Sequence, residues 1–133
     1  MTTMFEIECA KEWYDAIVAG DKVVEGRPAK VDPKKKTVMD LRIGELVKLV
    51  RGNSDKTVTD EGAVLRITYL KQYPTFRKMI KKETLARILP GKETIDDGIA
   101  VYRQWYNEEK EKKNGVLAIG VEVLFKTSRE SSV

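Results

Sequence analysis

Three charged residues stand close together near the N-terminus: Lys22, Glu25 and Arg27. Alternation along an extended strand places Glu25 and Arg27 on the same side, and Lys22 precedes them at a turn from which its long side chain can reach the same place. Arginine offers phosphate a planar pair of donors, and lysine offers a point charge. Glutamate accepts hydrogen bonds from an amine or imino edge of a base. These residue types therefore suit recognition of a ligand that is anionic at one end and hydrogen-bonding at the other, and Gly26 would let such a ligand approach the backbone closely.

A simpler interpretation of these residues stays open. Glu25 and Arg27 can form a surface ion pair that contributes little, while Lys22 is a solvated turn residue. The residues alone favour the surface pair over a cleft.

The chain has no histidine and one cysteine, Cys9. The absence of histidine removes the usual catalytic triads and nearly all zinc sites, so we expect no metal and no cofactor. If the protein is an enzyme, proton transfer falls to Lys22 and Glu25, because a lysine beside an arginine in a partly desolvated cleft has a lowered pKa. Metal-independent hydrolysis is therefore an alternative to binding alone.

The pattern of apolar residues predicts the elements that position this segment. Residues 5–9 alternate as a strand, and residues 13–18 carry an apolar helical stripe that ends at Gly20. Residues 23–27 resume as a strand, which Pro28 closes because it cannot donate a ladder hydrogen bond.

The rest of the chain also contains patterns of both strands and helices. Residues 46–50 and 63–70 predict paired strands, one helix follows Pro74, and a second helix starts near Thr94 with Ile95, Ile99, Tyr102 and Tyr106 on its buried face. Residues 108–114 predict a mixed-charge turn, and residues 116–125 the most apolar strand. This order suits a small β-barrel flanked by helices, in the α+β class.

Length and composition predict one domain. The chain has 133 residues, of which 41% are hydrophobic and 35% charged, with a net charge of +4. We expect a single domain over residues 1–126 and a flexible tail over residues 127–133. Cys9 allows no internal disulfide, and no secretory leader or membrane anchor is evident, so we expect a cytoplasmic protein.

Several segments resemble the ASCH domain family, which is named for homology to a transcription coactivator. Gly20, Lys22, Glu25 and Arg27 match its G-x-K-x-x-E-x-R signature. The segment 43–47 is similar to the family's entry into a barrel strand, with Glu45 where aspartate is usual. The motifs Y-x-x-F, L-P-G, Y-x-x-[FW]-Y and G-V-x-A-I of a microbial subgroup also occur in order, over residues 73–76, 89–91, 102–106 and 115–119.

This resemblance implies a fold similar to PUA domains, with about five to six strands and three or so helices. It also implies a cleft walled by Lys22, Glu25 and Arg27 that binds RNA or a nucleotide-like ligand. Some members hydrolyse the amide of N4-acetylcytidine, and a ribonuclease activity has been proposed for others. Those acting on N4-acetylcytidine resemble K-x-x-T at this place, whereas this chain has Glu25. Hydrolysis of a modified nucleoside or RNA is therefore one alternative, and a protein–protein adaptor is another.

Further residues are candidates for ligand contact. Among the aromatic residues, Tyr69 and Trp105 are candidates for stacking on bases, whereas Tyr102 and Tyr106 are assigned mainly to packing. Two basic groups are candidates for contact with a nucleic-acid backbone, one in a loop and one in the helix after Pro74. These are Lys34, Lys35, Lys36, Arg77, Lys78, Lys81 and Lys82.

Overall fold

The computed structural model describes residues 4–53 and 58–128. Its strands are β1 (Phe5–Ala10), β2 (Val24–Pro28), β3 (Leu46–Gly52), β4 (Val58–Tyr73) and β5 (Val116–Ser128). Its α-helices are α1 (Lys11–Val18), α2 (Phe76–Glu83), α3 (Leu85–Ile88), α4 (Ile95–Arg103) and α5 (Glu108–Asn114), and a 3₁₀ helix spans Val38–Asp40.

The five strands form one curled sheet in the order β1-β3-β4-β5-β2. β1 pairs with β3 in parallel, and the other neighbours are antiparallel. The curl turns the sheet into a half-barrel with β1 and β2 at its two edges. The predicted α+β class and PUA-like barrel are therefore confirmed.

The N-terminal elements form where the apolar pattern predicts them. In β1, Ile7 and Cys9 are buried while Glu6 and Glu8 are exposed, which is the alternation expected of a half-buried strand. In α1, the buried residues are Trp13, Tyr14 and Ile17. Gly20 follows with φ +85°, a conformation that glycine adopts without strain. The chain can therefore reverse after α1 and enter β2.

Helices α2 and α4 pack against each other and carry part of the core. α2 buries Phe76, Met79 and Ile80, as its apolar spacing predicts. The ring of Phe76 stacks on that of Tyr102 in α4, with centroids 4.3 Å apart and an interplanar angle of 8°. Aromatic pairs of this kind add to the stability that burial supplies. The pair fixes the C-terminal half of α4 against α2.

One local prediction is wrong. Residues 108–114 form helix α5 rather than a turn, because Asn107 caps it by accepting from the Lys110 backbone N–H at 2.8 Å. Its first turn is acidic and its last turn carries Lys112 and Lys113, which suits the helix dipole. Strand β5 pairs with β4 as far as Ser128. Residues 129–133, which make up most of the predicted tail, lie outside the described residues.

The predicted buried face of α4 is correct in part. The helix ends at Arg103, so Tyr106 lies beyond it, and the residues that it buries are Gly98, Val101 and Tyr102. Ile95 and Ile99 are only half-buried. Within residues 4–53 and 58–128, no helix has the length and apolar character needed to cross a bilayer.

Candidate functional site

A cavity of about 970 Å³ opens between the two edge strands of the half-barrel. β1 and the start of α1 form one wall, β2 forms the floor, and the chain at and after the end of α4 forms the opposite wall. The predicted residues Lys22, Glu25, Gly26, Arg27 and Trp105 all line it. The half-barrel therefore brings the signature residues to one concave surface.

Glu25 lies at the centre of the polar groups in this cavity, and only 6% of it is exposed. Its Oε2 accepts a hydrogen bond from Cys9 Sγ at 2.9 Å, and its Oε1 accepts one from the Gly26 backbone N–H at 2.8 Å. Lys22 Nζ lies 3.8 Å from Oε1, and an Arg27 guanidinium nitrogen lies 3.5 Å from Oε2. One buried carboxylate is thus shared by two cations and two hydrogen-bond donors.

The charge state of Glu25 follows from these neighbours. Burial raises the pKa of Glu25, but the charges of Lys22 and Arg27 and the hydrogen bonds from Cys9 and Gly26 outweigh burial. The pKa of Glu25 therefore lies below its ordinary value, and the group is a carboxylate at neutral pH. It stabilises both cations.

Lys22 is almost completely buried, with 2% of the residue exposed. Its ammonium donates to the backbone carbonyls of Val24, at 2.8 Å, and Ile88. It also lies over the ring of Trp13, 5.5 Å from the centroid. Burial lowers the pKa of Lys22, and Glu25 partly offsets that effect. The donors of Lys22 are directed into the protein, so its role here is to hold β2 against the end of α3.

Arg27 is the cation of this group that keeps surface in the cavity, with 23% of its side chain exposed. One guanidinium nitrogen donates to the carbonyl of Glu8 in β1 at 2.6 Å and lies 3.6 Å from Cys9 Sγ. Burial opposes its charge, but Glu25 outweighs burial and holds the pKa of Arg27 above its ordinary value. The guanidinium is therefore charged, fixed in position and partly accessible.

Sequence reasoning missed Cys9. It occupies an inward-facing position of β1, and its thiol donates to Glu25. Burial and the nearby Glu25 charge raise the pKa of the thiol, so it is a hydrogen-bond donor rather than a thiolate. The alternation of β1 shows that Cys9 faces inward, but nothing in the sequence indicates that β1 and β2 come together.

Gly26 lines the cavity for a different reason from the one predicted. A Cβ at this position would lie 2.5 Å from Met79 Cε and 2.7 Å from Tyr102 Oη. The space beside Gly26 is thus filled by side chains of α2 and α4. Its lack of a side chain allows these helices to pack against β2.

Aromatic rings form much of the cavity wall. Trp13, Tyr102, Trp105 and Tyr106 all line it. Trp105 is 48% exposed, as expected for a ring outside the helix's buried face, whereas Trp13 and Tyr102 are buried. The exposed ring of Trp105 and the fixed guanidinium of Arg27 therefore line the same cavity.

Tyr69 is not among the residues that line this cavity. Its hydroxyl donates to the buried carboxylate of Glu83, to which Tyr73 also donates, and it accepts from Arg87 at 2.9 Å. Burial and the hydrogen bond to Glu83 raise the pKa of Tyr69 to about 12. Tyr69 lies here because a buried carboxylate needs hydrogen-bond donors. The assignment of Tyr69 to the cleft is therefore not supported.

The predicted basic residues also lie outside the cavity lining. Arg77, Lys78, Lys81 and Lys82 occupy the exposed side of α2, opposite Phe76, Met79, Ile80 and Glu83. Lys34, Lys35 and Lys36 are exposed in the loop after β2. Ion pairs join Lys36 to Glu45 and Arg77 to Asp96. Among the described residues, no three acidic or cysteine side chains are grouped so that they could hold a metal ion.

The curled sheet, the flanking helices and the cleft between its edges define the class as a small PUA-like domain. The family model of the ASCH domain matches residues 7–125. The chain therefore belongs to the ASCH domain family.

Solved structures agree with this assignment. The hypothetical protein PH0355 is 29% identical, with a TM-score of 0.70 over 92% of this chain and 100% of that chain. Protein PF0455 from Pyrococcus furiosus is 34% identical, with a TM-score of 0.64 over 92% of this chain and 98% of that chain. A mutant of ZmASCH from Zymomonas mobilis is 12% identical, with a TM-score of 0.50 over 94% and 75%, and shares the fold alone. No curated protein matches the chain.

Proposed function

We propose that this protein binds RNA or a nucleotide-like ligand in the cavity lined by Lys22, Glu25 and Arg27. In this proposal Arg27 contacts a phosphate or another anionic group. Lys22 and Glu25 hold Arg27 in place rather than contacting the ligand, because their polar atoms are already paired inside the protein. The chain belongs to the ASCH family, and resemblance to that family implies RNA binding, which supports the choice of ligand.

The observation that carries this proposal is the state of Arg27. Its guanidinium is fixed by Glu8 and Glu25, yet part of the side chain still faces the cavity. A guanidinium that is already ordered loses little conformational freedom when it binds phosphate, which favours binding. An arginine that served only to pair with Glu25 would not need to lie on a concave surface.

The walls fit a base attached to that phosphate. Trp105 presents an accessible ring, and stacking of a base on such a ring contributes about 1–3 kcal/mol in proteins that bind single strands. For a longer RNA, Lys34, Lys35, Lys78, Lys81 and Lys82 supply charges outside the cavity that would attract the backbone.

Binding has more support here than the two alternatives. A hydrolase that uses Lys22 needs its amine to meet the substrate, whereas the amine is bound to two backbone carbonyl groups and the residue is almost completely buried. Glu25 likewise has both oxygens engaged. An adaptor role would use the exposed ring of Trp105, but that single ring does not form an extended apolar surface.

A titration with fluorescently labelled RNA tests the proposal. Single-stranded RNA, duplex RNA and DNA are titrated at two salt concentrations, because phosphate-driven binding must weaken as salt rises. The variants are Arg27→Gln and Trp105→Ala. Arg66→Gln is the matched control, because Arg66 is an exposed strand arginine that pairs with Glu122 outside the cavity.

Arg27→Gln is expected to weaken binding about tenfold or more, consistent with the loss of a charged hydrogen-bond partner. Arg66→Gln should leave the affinity within about twofold. Thermal unfolding of each variant separates lost contact from lost fold. Wild-type affinity that does not depend on salt, or equal affinities for Arg27→Gln and wild type, would rule the proposal out.

A further inference from the structure

Tyr102 carries a hydroxyl that the packing of the protein leaves unused. Its residue is 3% exposed, and among the described residues no group forms a hydrogen bond with its Oη. Buried hydroxyl groups are nearly always paired, because burial without a partner is unfavourable. Phenylalanine at this position would keep the ring and avoid that penalty.

The ring of Tyr102 is held so that its hydroxyl meets β2 in the middle of the signature segment. Phe76 stacks on the ring, and Gly26 leaves the space in which the hydroxyl lies. Tyr102 lines the same cavity as Arg27. An unpaired donor therefore lies against Gly26, the residue that precedes Arg27 in β2, and belongs to a residue that lines the same cavity as Arg27.

We propose that the Tyr102 hydroxyl donates a hydrogen bond to an acceptor oxygen of the bound ligand and so acts, with Arg27, as a second ligand-binding group. This inference rests on the proposed function, and it assigns Tyr102 a role beyond packing. The ligand chemistry that it requires is an oxygen acceptor, either a phosphate oxygen or a base carbonyl.

The electrostatic surroundings agree with a donor role. Burial, followed by the charge of Glu25, raises the pKa of Tyr102 well above its ordinary value, so the hydroxyl keeps its proton. The hydroxyl is covered in this conformation, so contact requires a side-chain shift.

The chain contains a matched control for removal of this hydroxyl. Tyr14 is 2% exposed, and its Oη also has no hydrogen-bond partner among the described residues. Tyr14 belongs to α1 and is not one of the residues that line the cavity. Tyr14→Phe and Tyr102→Phe therefore make the same chemical change, one outside the proposed site and one inside it.

The experiment compares wild type, Tyr14→Phe and Tyr102→Phe in two assays. Thermal unfolding should show that neither variant is less stable than wild type. Titration with labelled single-stranded RNA should show about tenfold weaker binding for Tyr102→Phe and unchanged binding for Tyr14→Phe. A second titration uses an abasic ribose-phosphate oligomer of the same length. If Tyr102→Phe binds both oligomers more weakly than wild type does, the acceptor is a phosphate oxygen. If it binds only the RNA more weakly, the acceptor is a base carbonyl.

Different results would overturn the proposed function and the role assigned to Tyr102. If wild type binds neither oligomer, the proposed function is wrong and the role of Tyr102 falls with it. If wild type binds and Tyr102→Phe binds as tightly, the function survives and the assignment of Tyr102 is overturned. Equal losses in both tyrosine variants would also overturn it, because the effect would then not belong to the cavity.

Discussion

Replacement of Glu25 with glutamine tests whether the buried charges depend on one carboxylate. The change keeps the size of the side chain and removes its charge. At an effective dielectric constant of about 20, charges 3.5 and 3.8 Å apart attract by roughly 4–5 kcal/mol per pair. Repulsion between Lys22 and Arg27 and the cost of desolvation offset much of that sum. Removal of one partner of a buried ion pair typically costs about 3–5 kcal/mol, which is the loss we expect.

The measurement is the free energy of unfolding in urea, with Glu122→Gln as the control. Glu122 pairs with Arg66 at 3.0 Å, a shorter distance than either pair of Glu25, but both side chains of that pair are about half exposed. Exposed pairs contribute about 0–1 kcal/mol, so the control should change little. If Glu25→Gln lowers the free energy of unfolding no more than Glu122→Gln does, burial does not make the ion pairs of Glu25 strong, and the reasoning is refuted.

The pH dependence of stability provides a second readout of the same group. Because the folded pKa of Glu25 is lowered, its stabilising contribution is present above the unfolded pKa of about 4.3. It is lost as the pH falls through the folded pKa. Glu25→Gln should therefore flatten the acidic limb of the stability curve relative to wild type, while Glu122→Gln leaves that limb in place.

Three further substitutions or reactions test local features. Thr84 has φ +72°, a conformation that strains a β-branched residue. Thr84→Gly should therefore raise the free energy of unfolding, measured in urea, by about 1 kcal/mol. A lower free energy of unfolding in this variant would contradict the inferred strain. Gly26→Ala should cost roughly 1–3 kcal/mol in the same assay, because the new Cβ would overlap Met79 and Tyr102, and a neutral result would show that the helices give way. The Cys9 thiol, buried and with a raised pKa, should react with a disulfide reagent at pH 8 only as the protein unfolds, and rapid reaction of the native protein would show that it is accessible.

The local part of the site could be predicted from sequence because strand geometry has a fixed period. Residues two apart on a strand share a face, and Arg27 indeed lies 3.5 Å from the Glu25 carboxylate. The apolar stripe of α1 likewise specifies which residues it buries. Such relations involve a few neighbouring residues and do not depend on the rest of the fold.

The long-range contacts of the site could not be predicted in this way. The carbonyl of Ile88, which lies 66 residues after Lys22, accepts from its ammonium. Cys9 lies 16 residues before its partner Glu25. Periodicity gives the direction of each side chain relative to its own element, but not which elements meet. For that reason the sequence suggested Lys22 as a ligand contact, whereas the structure pairs its donors inside the protein.

Helix α5 was missed for a different reason. It has no apolar stripe, and the prediction relied on such stripes to recognise helices. Its sequence contains other helix signals, namely the cap at Asn107 and the change from acidic to basic residues. Its anchoring is polar as well, since buried Glu111 accepts from Arg103 and from the Phe76 backbone N–H, both at 2.6 Å. To recognise a helix that is held by polar contacts, a sequence prediction has to use capping rules rather than hydrophobic periodicity.

The spacing of the signature residues has one physical explanation in this structure. Lys22 joins β2 to the end of α3, Glu25 joins Lys22 to Arg27, and Arg27 joins β2 to the carbonyl of Glu8 in β1. The three residues thus connect both edges of the half-barrel and the helix beside them through one shared carboxylate. Of the three, Arg27 keeps the largest exposed fraction of its side chain. Because the carboxylate and the buried lysine hold that guanidinium in place, a ligand that binds it meets a donor whose position is already determined.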